Sequence, residues 1–389
     1  MFEKVSLQDW ENLVKKQLKT DDIYAVLSKE NLENLSVKPY YDTVENPLPN
    51  LPKVEESTHL VSKYHESAEE NVFAFLLDEN VQDLTEKAIF VNNADLAEHI
   101  STEETNRYFS LIDIFSDTKN GEINEQLGKE LLAKNFERNI CIDISLHQNA
   151  GASLIQQLAI SLGKAKELVE IFGAEILSKL VFKIAIGSNY FFEIAKIRAL
   201  KLLFFQFTKE YSLEEIPFIF AETTFRNKSK SDPENNLIRS TLELSAAMIG
   251  GADAVFSNDY QLENSDSVSE EISFKQQIVL AYESIINVFD DAANGSYYVE
   301  DLTQQLATKS WNEFLEMEEK GGYCELLKNG TLQNQIYEHA LKEQNWVEEG
   351  KIKMIGVNIY PKLEKKKSAE EMYSNTEIKA VCLAEMFEE

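Results

Sequence analysis

Cysteine is scarce in this chain. Three residues, Cys141, Cys324 and Cys382, are spread over 389 positions. They make no Cys-x-x-Cys pair and no close framework, which excludes a disulfide-stapled scaffold and a zinc ribbon. Histidine is nearly as sparse. His59, His65, His99, His147 and His339 show no HxxxH spacing, so no helical metal site is expected. Positive charge is also short, with 38 Lys and Arg against 67 Asp and Glu, a net charge of −29. Such a chain repels phosphate backbones and anionic lipid, so neither nucleic acid nor membrane is an expected partner. No apolar run is long enough to span a bilayer. The opening MFEKVSLQDWENLVKKQLKT lacks an apolar core, which predicts no secretion signal and a cytoplasmic chain. Of seven prolines, Pro39, Pro47, Pro49 and Pro52 crowd into residues 36–56, where they exclude regular helix and central strand.

What remains is organised. Residues 1–60 read as an extended arm for subunit contacts. The arm holds one amphipathic helix, LQDWENLVKKQL, with Trp10, Leu13, Val14 and Leu18 on one side. From residue 61 to 389, short apolar runs alternate with longer helical ones. Strands are predicted at 71–77, 87–92, 108–114, 139–145, 180–187, 217–223, 253–258 and 351–358. Most are apolar throughout, as strands covered on both faces are. Helices are predicted at 122–136, 150–172, 189–209, 233–249 and 270–288, and over 297–349 with breaks at Gly321-Gly322 and Asn329-Gly330. Asp232 and Pro233 are expected to start the helix that Gly250 and Gly251 end. Eight such alternations predict an α/β fold, a (β/α)8 TIM barrel.

In a barrel, function sits at the C-terminal strand ends. Those ends offer Asn92, Ser145, His147, Ser188, Asn189, Thr223, Thr224, Asn258, Asp259 and Asn358. The set suits hydrogen bonding better than proton transfer. His147 is either an acid–base group or a locally bonded histidine. Asp259 reads as a solvated carboxylate. In FAETTFRNKSKSDPENN, a strand meets a polar loop that carries no reacting group. Arg226, Lys228 and Lys230 there either contact phosphates or belong to a solvated loop, and the loop is the simpler reading.

Several segments resemble the methylmalonyl-CoA mutase family. They are NAGASLIQQLAISLGKAKELV, GSNYFFEIAKIRALKLLF, SDPENNLIRSTLELSAAMIGGADAVFSND, FDDAANGSYYVEDLTQQLATKSWNEFLEMEEKGG and IGVNIY, in the family's order. The resemblance spans most of 141–360. It implies a (β/α)8 barrel related to those that hold an acyl-CoA, beside a cobalamin-binding domain that carries adenosylcobalamin. The reaction it implies is the radical interconversion of methylmalonyl-CoA and succinyl-CoA.

Three departures shape the expectation. Phe220 occupies the place of the histidine that contacts the thioester carbonyl in catalytic chains, and ETTF stands where they have Gln-Thr-Ser-Gly. No counterpart of their substrate-side tyrosine segment precedes residue 110. The cobalt-ligating Asp-x-His-x-x-Gly motif has only a misspaced imitation in Asp143, His147 and Gly151. The resemblance therefore implies a small (beta) subunit with no cobalamin-binding domain, no catalytic residue and no bound cofactor. Adenosylcobalamin is expected in a large (alpha) partner subunit. Thr223, Thr224, Asn258 and Ser188 would be remnants of a substrate-like pocket. Phe220 and Phe225 are expected to close the axial channel, Arg198 and Arg239 to anchor buried ion pairs, and Gly295, Ser296, Tyr297 and Glu300 to shape a helix start. Two alternatives stay open: the substrate-binding chain of a split acyl-CoA mutase, and a vestigial acyl-CoA-binding module.

Overall fold

The computed structural model describes residues 5–43, 47–64, 74–77, 79, 87–100 and 107–388. Its strands are β1 (His59–Lys63), β2 (Ala74–Leu77), β3 (Ala88–Val91), β4 (Arg107–Ser110), β5 (Ile140–Asp143), β6 (Leu180–Ile186), β7 (Phe218–Thr223) and β8 (Ala254–Phe256). All pair in parallel, in the order β4-β3-β2-β1-β8-β7-β6-β5. The ends of this sheet meet. Ser110 N donates to Arg138 O at 2.9 Å and Cys141 N to Ile112 O at 3.0 Å, closing a (β/α)8 barrel.

One strand was misplaced by the sequence reading. Residues 351–358 are not in the barrel. They form a tight loop in which Asn358 binds Val347 O, Ile352 O and Met354 N, each at 2.7 Å. Gly356 sits at φ +80°, and a Cβ there would collide with Asp232. The missing strand is β1, between β2 and β8. Of the run predicted at 71–77, residues 74–77 are β2 and 71–73 lie outside the described residues.

The helices follow the pattern closely. They are α1 (Leu7–Leu18), α2 (Ile23–Leu27), α3 (Ala94–His99), α4 (Glu125–Leu132), α5 (Ser145–Ala150), α6 (Leu154–Phe172), α7 (Tyr190–Lys209), α8 (Pro233–Ile249), α9 (Ser267–Ile278), α10 (Tyr297–Glu319), α11 (Gly322–Lys328), α12 (Thr331–Glu348) and α13 (Ala369–Met372). The breaks at Gly321-Gly322 and Gly330 are real: φ is +107°, +85° and +83°, which suits residues without a Cβ. Asp232 stands at the N-cap of α8, but its side chain makes no cap bond and takes Asn235 Nδ2 at 2.5 Å instead.

Long helices pack where their apolar faces meet, and α10 lies across α6 and α7. This contact encloses a fully buried ion cluster. The Arg198 guanidinium holds Asp291 at 2.8 and 3.0 Å and Glu300 at 2.8 Å, and donates to Thr303 at 3.1 Å. Glu300 also accepts from Gly295 N at 3.1 Å, so the turn before α10 is fixed by that carboxylate and not by Ser296. Arg239 behaves differently from Arg198. It donates to Asn236 Oδ1 and Ile355 O and, among the described residues, pairs with no carboxylate.

Residues 30–43 and 47–58 run over this chain's own barrel. Ser36 N reaches Gln305, Leu48 N reaches Glu300, and Val54 N and Glu55 N share Asp253 Oδ1 at 2.6 and 3.0 Å. Glu55 is gripped by both Nη atoms of Arg107, at 3.0 and 2.7 Å. By contrast, α1 buries none of its residues, and Trp10 only stacks on Tyr40.

Candidate functional site at the barrel mouth

Side chains alternate along each strand, so one set points down the barrel axis. Here that set is aromatic. Phe90, Phe109, Phe218, Phe220 and Phe256 form one buried cluster with Val61, Leu76, Leu111, Cys141 and Val181. Ring centroids lie 5.0 Å apart for Phe90 and Phe109, 4.7 Å for Phe109 and Phe218, and 5.0 Å for Phe90 and Phe220. The axis is packed solid up to Phe220, which is 1% exposed.

Above this plug remains a cavity of about 440 Å³, lined by Asn92, Ser145, Asn149, Lys183, Glu222, Phe225, Asn258 and Ala380 among others. Its polar groups satisfy one another. Lys183 Nζ lies 2.9 Å from Asp143 and 3.3 Å from Glu222. Burial pushes the Glu222 carboxyl up despite Lys183, while the two carboxylates hold the Lys183 ammonium charged against its own burial. Sequence reasoning gave no role to Lys183 and Glu222. The available signal was a charge at an inward position of an otherwise apolar strand, in LVFKIAI and FIFAET.

Two of the polar strand ends come together and two do not. Thr223 Oγ1 accepts from Asn258 N at 2.9 Å, and Thr223 O from Asn258 Nδ2 at 2.7 Å. Thr224 donates to Asn149 Oδ1 at 2.7 Å, and Ser188 accepts from Asn227 at 2.6 Å. These last two line a separate side cleft. Asn189 caps α7 by position only. Asp259 is not a solvated carboxylate: it is locked by Ser265, Ser269 and Gln261 N. Asn358 is not at the mouth.

His147 is the locally bonded histidine. It is fully buried, with Nε2 3.1 Å from Tyr323 OH, and burial lowers its pKa to about 4. Tyr323 donates onward to Asp117, which pairs with Lys164 at 2.7 Å. A neutral imidazole held this way is not a cobalt ligand presented at the mouth, so His147 does not fit that role.

The loop after β7 is also not solvated, which corrects the simpler reading. Arg226 and Lys228 are buried, paired with Glu343 at 2.6 Å and Glu243 at 2.7 Å. Only Lys230 is exposed, beside Glu263. This loop anchors residues 373–388, which strap the mouth. Val381 N donates to Asn149 O, Leu383 N to Arg226 O, and the Glu388 carboxylate takes Ser229 Oγ at 2.5 Å and Ser231 N at 3.0 Å.

Fold and site together define a (β/α)8 barrel whose axis is filled and whose mouth is strapped. Residues 132–386 match the family model for methylmalonyl-CoA mutase, and the chain belongs to that family. It is 32% identical over 245 residues to the methylmalonyl-CoA mutase of Rhizobium meliloti, covering 59% of this chain and 34% of that one. It is 32% identical over 226 residues to the methylmalonyl-CoA mutase small subunit of Porphyromonas gingivalis, covering 55% and 37%. The large subunit of the same organism is 29% identical over 245 residues, covering 59% and 34%. The matches span about a third of the length of these curated relatives. Among the described residues, no helix is long and apolar enough to cross a membrane.

Proposed function

We propose that this chain is the non-catalytic small subunit of a heterodimeric, cytoplasmic methylmalonyl-CoA mutase. Its homologous large subunit would carry substrate and adenosylcobalamin. The observation that carries the reading is the phenyl plug. A thioester needs a hydrogen-bond donor at its carbonyl and an open path for its pantetheine arm. Phe220 offers no donor, and the rings around it leave no path. Adenosylcobalamin supplies the radical in this reaction class, and among the described residues none at this mouth is suited to hold it. In this reading the chain's own task is binding: Leu13 and Leu18 of α1 and Val26 of α2, exposed on their own barrel, reach the partner.

The alternatives find less support. An acyl-CoA-binding module needs unpaired cations for phosphates, yet Arg226 and Lys228 are neutralised by Glu343 and Glu243. The deciding experiment is co-expression with the host's large subunit and isolation through a tag on this chain. The expected result is a stoichiometric complex that turns over methylmalonyl-CoA with added adenosylcobalamin, while this chain alone is inert. Turnover by the isolated chain, or its failure to join the large subunit, overturns the proposal.

A further inference from the structure

A cleft of about 610 Å³ lies beside the barrel axis, between the arm, the starts of α7 and α8, α12 and the loop 351–355. Its carboxylates are nearly all engaged. Glu33 accepts from Leu154 N at 3.0 Å at the start of α6. Glu193 pairs with Lys196 at 2.6 Å, and Glu343 with Arg226 at 2.6 Å. Glu30, at the rim, acts on Lys351, which already pairs with Glu349.

Two cations are left without a carboxylate. Arg239 donates only to Asn236 Oδ1 at 2.8 Å and Ile355 O at 2.7 Å. Asp232, Glu243 and Glu388 add negative field, but none of them pairs directly with the guanidinium. Lys353 is exposed and has no partner among the described residues. In a chain of net charge −29, this lining is balanced, with Glu30, Glu33, Glu193 and Glu343 against Arg226, Arg239, Lys351 and Lys353. Beside Arg239 and Lys353 lies apolar wall: Ile238, 63% exposed, with Ile352 and Trp346. On the α12 side, His339 Nδ1 lies 2.7 Å from Gly151 O and so carries the proton, while its buried Nε2 has no partner.

We propose that this cleft binds an anionic small molecule with an apolar or aromatic body. The anionic group sits between Arg239 and Lys353, and the body lies on Ile238, Ile352 and Trp346. A cavity of this size, mostly apolar with a few directed polar groups, is the ordinary form of a small-molecule site. The inference does not depend on the subunit reading, because the cleft lies off the plugged axis.

The test uses 1-anilinonaphthalene-8-sulfonate, an aromatic anion, on the full chain with Trp10→Phe and Trp311→Phe, leaving Trp346 as the only tryptophan. Saturable binding that quenches Trp346 is expected. It should weaken at least about tenfold in Arg239→Gln/Lys353→Gln. The neutral analogue N-phenyl-1-naphthylamine should bind as weakly to the parent. Lys353→Gln alone changes an exposed side chain with no fold contact, and should weaken binding about threefold even if Arg239→Gln proves unstable. No saturable quenching, unchanged affinity in the variants, or equal binding of the neutral dye overturns the proposal.

Discussion

Phe220 meets Phe90 edge-on in the middle of the barrel, ring centroids 5.0 Å apart and planes at 60°. Phe220 is thus a core residue. Phe256 closes over it at 6.4 Å, and Phe109 and Phe218 fill the layer around Phe90. Edge-to-face contacts of this kind add to the burial of the rings.

Replacing Phe220 with alanine should therefore cost about 3–5 kcal/mol of stability, as large-to-small core changes do. Chemical denaturation checks this. Phe220→His should leave the isolated chain unable to bind an acyl-CoA, because the remaining rings still fill the axis. Equilibrium dialysis with labelled acyl-CoA reads that directly.

The Arg198 cluster predicts a second effect. Arg198, Asp291 and Glu300 are 0–1% exposed, so removing the guanidinium strands two buried carboxylates. Arg198→Ala should destabilise the chain by about 3–5 kcal/mol. Arg198→Lys should recover only part of this, since an ammonium cannot hold Asp291 with two parallel bonds and Glu300 with a third. Thermal melts of the two variants give the comparison.

Glu55 sets the acid limb. Burial alone would raise its pKa, but His59 and Arg107 outweigh burial and bring it to about 2, against an ordinary 4.5. A carboxylate whose folded pKa is depressed adds stability that is fully present above the unfolded pKa. That stability is lost as pH falls through the folded one. The loss attributed to Glu55 should fall between about pH 4.5 and 2. Glu55→Gln should flatten stability over that interval, measured by urea unfolding at stepped pH. A profile identical to the parent's would show that the Glu55–Arg107 contact does not form.

The architecture was legible because helix and strand signals are local. The Gly321-Gly322 pair and Gly330 divide the last helices where the chain divides. The error over the eighth strand was one of selection. KIKMIGVN is apolar enough for a strand, whereas HLVSK is five residues long and follows a proline-rich arm; only tertiary pairing between β2 and β8 singles it out. The loop at 225–231 was misjudged for a related reason. Arg226 looks solvated in sequence because its partner Glu343 lies 117 positions away, and the pairing of Lys228 with Glu243 on α8 depends on how that helix packs against the loop.

The strap offers another test. The Glu388 carboxylate accepts from Ser229 Oγ at 2.5 Å, Lys230 N at 3.1 Å and Ser231 N at 3.0 Å, and is 4% exposed. Charge-assisted bonds of this kind contribute about 1.5–3 kcal/mol each when buried. Glu388→Ala should let residues 373–388 exchange amide hydrogens faster while β5, β6 and β7 stay protected. Uniform exchange across the chain would mean that the strap is part of one cooperative unit with the barrel.

The arm divides into two parts with different consequences. Residues 30–43 and 47–58 are hydrogen-bonded to Gln305, Glu300 and Asp253, so deleting them removes contacts that close the base of the barrel. Residues 5–27 make few such contacts: Ile23 is the only buried residue in α1 and α2, while Leu13, Leu18 and Val26 are exposed. Apolar side chains left in water on a helix gain free energy when a partner covers them. Deleting residues 1–27 should therefore leave the melting temperature of the lone chain within a few degrees of the parent, yet abolish co-purification with the large subunit. If the shortened chain still forms a stoichiometric complex, the barrel surface carries the association and α1 serves another purpose. If it fails to fold alone, α1 and α2 are part of the barrel's own support.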